Sequence, residues 1–145
     1  MQTLKNEMLT IQVSEHGAEL QSIRKDDYEY LWQGNPEYWG RRSPVLFPIV
    51  GSVWEKCFRV DGKVYEMGQH GFARDMDFEL VSAADTEVWY RLESSEKTLA
   101  AYPWPFVLEI GYRLEGNSLE VLWKVTNPGD TEMFFQIGAH PAFNY

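Results

Sequence analysis

Phe106-Val107-Leu108-Glu109-Ile110-Gly111-Tyr112-Arg113-Leu114-Glu115-Gly116-Asn117-Ser118-Leu119-Glu120-Val121-Leu122-Trp123-Lys124-Val125-Thr126 is the stretch that decides the fold. Its two arms, Phe106 to Leu114 and Ser118 to Thr126, carry the alternating apolar pattern of half-buried strands, and Glu115-Gly116-Asn117 between them has tight-turn composition. Working outward, the same pattern recurs. Phe58-Arg59-Val60-Asp61-Gly62-Lys63-Val64-Tyr65 is the clearest hairpin, because Asp-Gly supplies the positive φ angles that a two-residue I′ turn requires. Strands are also expected at Met8–Val13, Ala18–Ile23, Tyr28–Trp32, Met76–Ser82, Glu87–Glu93 and the run Met133-Phe134-Phe135-Gln136-Ile137. No sustained helical period occurs, although Glu96–Ala101 has room for one turn. Frequent turns between short strands predict an all-β antiparallel sandwich or barrel and exclude a βαβ fold. Residues 1–145 read as one domain, with no repeat, low-complexity segment or linker.

The composition narrows the partners. A net charge of -9 opposes nucleic-acid binding, which needs a clustered basic face, and weakens any attraction to an anionic membrane surface. No apolar run reaches the roughly 18 residues of a membrane span, and Met1-Gln2-Thr3-Leu4-Lys5-Asn6 has no basic segment followed by an apolar stretch, so a cytoplasmic location is expected. Cys57 is the one cysteine; it reads as a structural, partly buried thiol. Aromatics make up 15% of the chain, six of them tryptophans. Sugar-binding clefts use such rings, whose flat faces pack on pyranose C–H groups while polar neighbours bind the hydroxyls.

Two histidine segments carry the candidate chemistry. His70-Gly71-Phe72-Ala73-Arg74 places a base that titrates near neutral pH beside a permanent cation, and its glycine lets the backbone turn sharply or approach a ligand closely. The plainer reading of such a segment is a satisfied histidine beside a turn. Gly138-Ala139-His140-Pro141-Ala142-Phe143-Asn144 is the second, where Pro141 biases His140 toward an extended conformation at a strand end. His16, in Ser14-Glu15-His16-Gly17, reads as a solvated turn residue. The loop Asn35–Pro44 holds aromatics, Arg41 and Arg42; it suits a binding loop or a crossover covering a sheet edge. Three histidines with no local ligand spacing give no metal site, and nothing in the sequence points to a cofactor.

Together the segments Gly17–Leu20, Leu31-Trp32, Tyr38-Trp39, Ser43–Gly51, His70–Arg74, Tyr102-Pro103 and Gly138–Asn144 resemble the aldose 1-epimerase (galactose mutarotase-like) family, most closely its LacX-like branch. The resemblance runs from end to end. It implies an antiparallel β-supersandwich with a sugar bound in a cleft on one sheet, and an isomerase that interconverts the α and β anomers of a hexose by opening and reclosing the ring. Mutarotation needs one group to protonate the ring oxygen and another to take the proton from the C1 hydroxyl, and histidine suits the acid role. By resemblance His140 is the general acid, and His70 hydrogen-bonds and polarises the same region. Arg74 holds sugar hydroxyls or a phosphate; Arg41 or Arg42 joins it, and the sequence does not decide between the two. Phe47, inside the Ser43–Gly51 match, belongs with the sugar contacts.

One departure accompanies these matches. Family members are about twice this length, and the glutamate that serves as general base lies in their second half; no Asp or Glu of this chain matches it. The expectation is therefore the N-terminal half of a sandwich, as a fragment or as a polypeptide whose partner segment is supplied elsewhere. Such a half leaves an apolar face and an unpaired edge open. Two other classes of function stay open beside the enzyme: a non-catalytic carbohydrate-binding module, and a structural domain that assembles, for instance as a dimer, through the open face.

Overall fold

The computed structural model describes residues 1–145. It is all-β with antiparallel sheets. β1 (Gln2–Lys5), β2 (Thr10–Val13), β3 (Leu20–Lys25) and β4 (Tyr28–Glu29) form one four-stranded sheet in chain order. β5 (Val45–Leu46) follows the long loop, and β6 (Cys57–Val60) and β7 (Lys63–Glu66) make a hairpin. β8 (Glu79–Ala83), β9 (Glu87–Glu93), β10 (Val107–Glu115) and β11 (Ser118–Thr126) form the second four-stranded sheet, ordered β11-β10-β9-β8. β12 (Gly138–Ala139) returns to pair with β5.

Local chemistry explains these elements. Asp61 and Gly62 take φ of 48° and 79°, as the I′ turn between β6 and β7 demands. Glu115 sits opposite Ser118, so Gly116-Asn117 is the whole loop of the β10–β11 hairpin. The single α-helix, α1 (Glu96–Ala101), starts at a capping box in which the Ser95 amide donates to Thr98 Oγ1 at 2.8 Å and the Thr98 amide donates back to Ser95 Oγ. No helix is long and apolar enough to cross a membrane.

Alternation puts Val88, Tyr90 and Leu92 of β9 and Leu108, Ile110, Tyr112 and Leu114 of β10 into one core with Leu4, Ile11, Val13 and Leu20 of the first sheet. Two phenols tie the sheets across that core. Tyr90 Oη donates to the Val13 carbonyl at 3.2 Å and Tyr112 Oη to the Ala18 carbonyl at 2.7 Å, so each buried hydroxyl is satisfied.

Two expectations need correction. Gln2–Lys5 forms a strand that the sequence reading passed over. Met133–Ile137 forms none: the two of its backbone groups that pair are the Gln136 amide, which donates to the Pro48 carbonyl, and the Phe134 carbonyl, which accepts from Tyr102 Oη; neither partner belongs to a strand, and Phe134 is 62% exposed. β11 is the strand expected over Ser118–Thr126, and Val121 and Trp123 on it are exposed, because no element of this chain covers that face. An apolar groove of about 260 Å³ lies there, bounded by Leu20, Val45, Tyr112, Val121, Trp123 and Phe143.

Candidate active site

Two backbone pairings bring the histidine segments together. In the β5–β12 ladder Leu46 faces Gly138 and Val45 faces Ala139, and just beyond it the His140 amide donates to the Pro44 carbonyl at 3.1 Å. The residue after Leu46, Phe47, meets Gly71 in a parallel bridge, and its carbonyl accepts from the amides of Phe72 and Ala73 at 3.0 and 3.2 Å. Only glycine fits at position 71. A Cβ there stands 2.2 Å from the Phe47 carbonyl oxygen, and φ is 72°. One short segment, Pro44 to Phe47, thus positions both histidines.

Between them lies a cavity of about 210 Å³ lined by Trp39, Pro44, Leu46, Gln69, His70, Arg74 and His140. The structure brings His70, His140 and Arg74 together in the lining of this cavity. Arg74 leaves the 3₁₀ turn Ala73–Asp75, lies mostly buried, and donates from Nη2 to the Gln69 carbonyl at 2.8 Å. Its Nε has no hydrogen-bond partner, the Asp75 carboxylate being 3.8 Å away, an ion-pair distance only. Arg41 is not among the lining residues; its Nη2 donates to Asp75 Oδ1 at 2.8 Å. Burial lowers the His70 pKa below its usual 6.5, and the charges of Arg74, His140 and Arg41 push it the same way.

Two expected contacts lie elsewhere. Arg42 turns away from the cavity: its Nη1 donates to the Gln21 carbonyl at 2.9 Å, while its amide and that of Ser43 donate to Glu19 Oε1. Phe47 is fully buried among Phe72, Tyr102, Phe106 and Phe135, so its ring builds the core and its carbonyl builds the site. His16 is a solvated turn residue paired with Asp77 Oδ1 at 2.7 Å, outside the cavity. Trp39, Pro44, Leu46 and Gln69 complete the lining; of these only Gln69 lies outside the segments that carried the resemblance. Gln69 gives no signal beyond adjacency to His70; the aromatic loop gave one for Trp39. Tyr38, its neighbour, is 76% exposed.

The cavity can therefore donate and accept protons near neutral pH, bind oxygens through a guanidinium and amides, and pack a ring against Trp39. The model of the family described as Aldose 1-epimerase matches residues 1–145. The chain belongs to the aldose 1-epimerase family. Within it the chain falls in the LacX-like branch: protein LacX (chromosomal) of Lactococcus lactis subsp. lactis is 40% identical over 149 residues, covering 97% of this chain and 50% of that protein. A galactose mutarotase related enzyme from Lactobacillus acidophilus superposes with a TM-score of 0.98 at 42% identity, over 99% of this chain and 49% of that one. A galactose mutarotase-like protein from Lactobacillus casei gives 0.96 at 39% identity, over 99% and 50%. The fold is thus the galactose mutarotase-like all-β fold expected from the resemblance, and the chain spans about half the length of the curated relatives it matches.

Proposed function

We propose that the cavity binds an aldose and takes part in exchange of its α and β anomers. The observation that carries this reading is the convergence of His70, His140 and Arg74 on one cavity in a member of this family. His140, whose ring nitrogens make no hydrogen bond within the protein, is the proton donor to the ring oxygen. Arg74 and Gln69 hold hydroxyls, and Trp39 walls one side. In the reverse step His140 takes the proton back as the ring closes on the other face of C1.

A free sugar suits the cavity better than a hexose phosphate. Both guanidiniums near the pocket already share the Asp75 carboxylate, which offsets much of the charge that a phosphate would need.

No Asp or Glu lines the cavity, so the acceptor of the C1 hydroxyl proton is proposed to come from polypeptide outside this chain, as the half-length match to the relatives supports. The same observation favours one other reading, a sugar-binding module without chemistry. Titration with glucose and galactose, followed by the His70 and His140 ring resonances, tests the site. Saturable shifts of both rings support sugar binding; shifts confined to residues outside the cavity contradict it. Glucose 6-phosphate in a parallel titration binds no more tightly than glucose if the free sugar is the ligand.

A further inference from the structure

His70 and Gly51 are tied to each other twice. The His70 amide donates to the Gly51 carbonyl at 2.7 Å, and the Gly51 amide donates to His70 Nδ1 at 2.9 Å. Both residues have left-handed backbone, with φ of 64° at His70 and 80° at Gly51. For a histidine that conformation is unfavourable, so the surrounding contacts must hold it in place. The loop that carries Gly51 is itself anchored: the Val50 amide donates to Gln136 Oε1 at 3.0 Å, and the Gln136 amide donates to the Pro48 carbonyl at 2.8 Å.

An N–H donor aimed at Nδ1 requires a lone pair there. In a neutral imidazole the proton must then sit on Nε2. A doubly protonated ring would set Nδ1–H against the Gly51 N–H and lose the bond, and Arg74 and Arg41 already oppose a positive charge at this place. His140 has no such tie. Its amide is held by the Pro44 carbonyl and its ring touches Trp39, but neither ring nitrogen has a protein partner, so it can hold or release a proton in either tautomer.

We propose that the Gly51 main-chain amide is a positioning group that locks His70 as the Nε2–H tautomer, so that His70 offers a hydrogen-bond donor to the occupant of the cavity and cannot act as its base. The consequence bears on the missing proton acceptor. In a cavity without a carboxylate, a second histidine is the obvious stand-in base, and this lock removes it. That catalytic meaning rests on the sugar reading above; the tautomer itself does not.

Long-range ¹H–¹⁵N correlation spectra of the 145-residue chain report the three histidine rings directly, with His16→Gln and His140→Gln variants to assign them. The expected pattern for His70 is a bare Nδ1 and a protonated Nε2 in one static tautomer, beside an averaged pattern for His140. A protonated Nδ1, or tautomer averaging at His70, overturns the proposal. Exchange of the Gly51 amide gives a second readout: it speeds up by at least about tenfold in His70→Ala if the bond protects it. An unchanged rate also overturns the lock. Neither measurement uses sugar, so failure of glucose and galactose to shift the His70 and His140 resonances, with the expected ring pattern present, defeats the proposed function and leaves the lock standing.

Discussion

The Trp39 indole stands edge-on to the His140 imidazole, with ring centroids 5.0 Å apart and planes at 78°. Trp39 is fixed in turn by its carbonyl, which accepts from Trp32 Nε1 at 2.8 Å. Edge-to-face pairs contribute about 0.5–1.5 kcal/mol beyond the area they bury, and here the partner is the ring proposed to deliver the proton. Trp39→Ala therefore weakens sugar binding by about two- to tenfold and leaves the thermal midpoint within a few degrees of wild type, because Trp39 sits on a loop at the cavity wall. Calorimetry with galactose alongside thermal unfolding checks both parts.

Arg74 acts on the cavity through charge and through hydrogen bonding. Its positive charge is one cause of the lowered His70 pKa, after burial. In Arg74→Gln the His70 titration moves up, toward 6.5, and sugar affinity falls by about tenfold. A His70 titration curve unmoved by the substitution contradicts this electrostatic picture.

Acid lability follows from the same shift. A folded-state pKa below the unfolded 6.5 means that the stability tied to neutral His70 is complete above 6.5 and is lost as pH falls through the lower folded value. Glu87 beside Arg113 and Glu109 beside Lys124 behave likewise, but only below their ordinary value of 4.5. Denaturant midpoints measured near pH 7.5 and near pH 5.5 therefore drop for wild type, and the drop is smaller in His70→Gln.

Phe47 separates core from site. Phe47→Ala opens a cavity among Phe72, Tyr102 and Phe106 and costs about 3–5 kcal/mol. Phe47→Leu costs less and leaves sugar affinity unchanged, because the backbone carbonyl that meets Gly71 is kept. A loss of sugar binding in a folded Phe47→Leu chain contradicts the buried placement of the ring.

What the sequence made legible was local. Alternation marked β9 and β10 because one side of each packs into the core, and Asp61-Gly62 marked its hairpin because the turn needs positive φ. The same rule marked β11, although Val121 and Trp123 on it stand exposed because no element of this chain covers them. Met133–Ile137 looked like a strand, but the two of its backbone groups that pair do so with the Pro48 carbonyl and the Tyr102 hydroxyl, outside any strand.

The site depends on pairings that no local pattern records. His70 and His140 meet only because Phe47 bridges Gly71 while Leu46 faces Gly138. Arg41 and Arg42 were likewise alike in sequence; they part because the Gln21 carbonyl takes the Arg42 guanidinium while Asp75, next to Arg74, takes that of Arg41.

The central claim is that His140 transfers a proton in anomer exchange. Magnetisation-transfer NMR on equilibrated glucose and galactose measures that exchange directly, with the 145-residue chain and its His140→Ala variant at matched concentrations and acetate supplied as the proton acceptor that the cavity lacks. The expected result is exchange above the rate of the acetate buffer alone with wild type and a reduction of about 10²-fold or more of that catalysed part in the variant. Equal rates for wild type and His140→Ala contradict it.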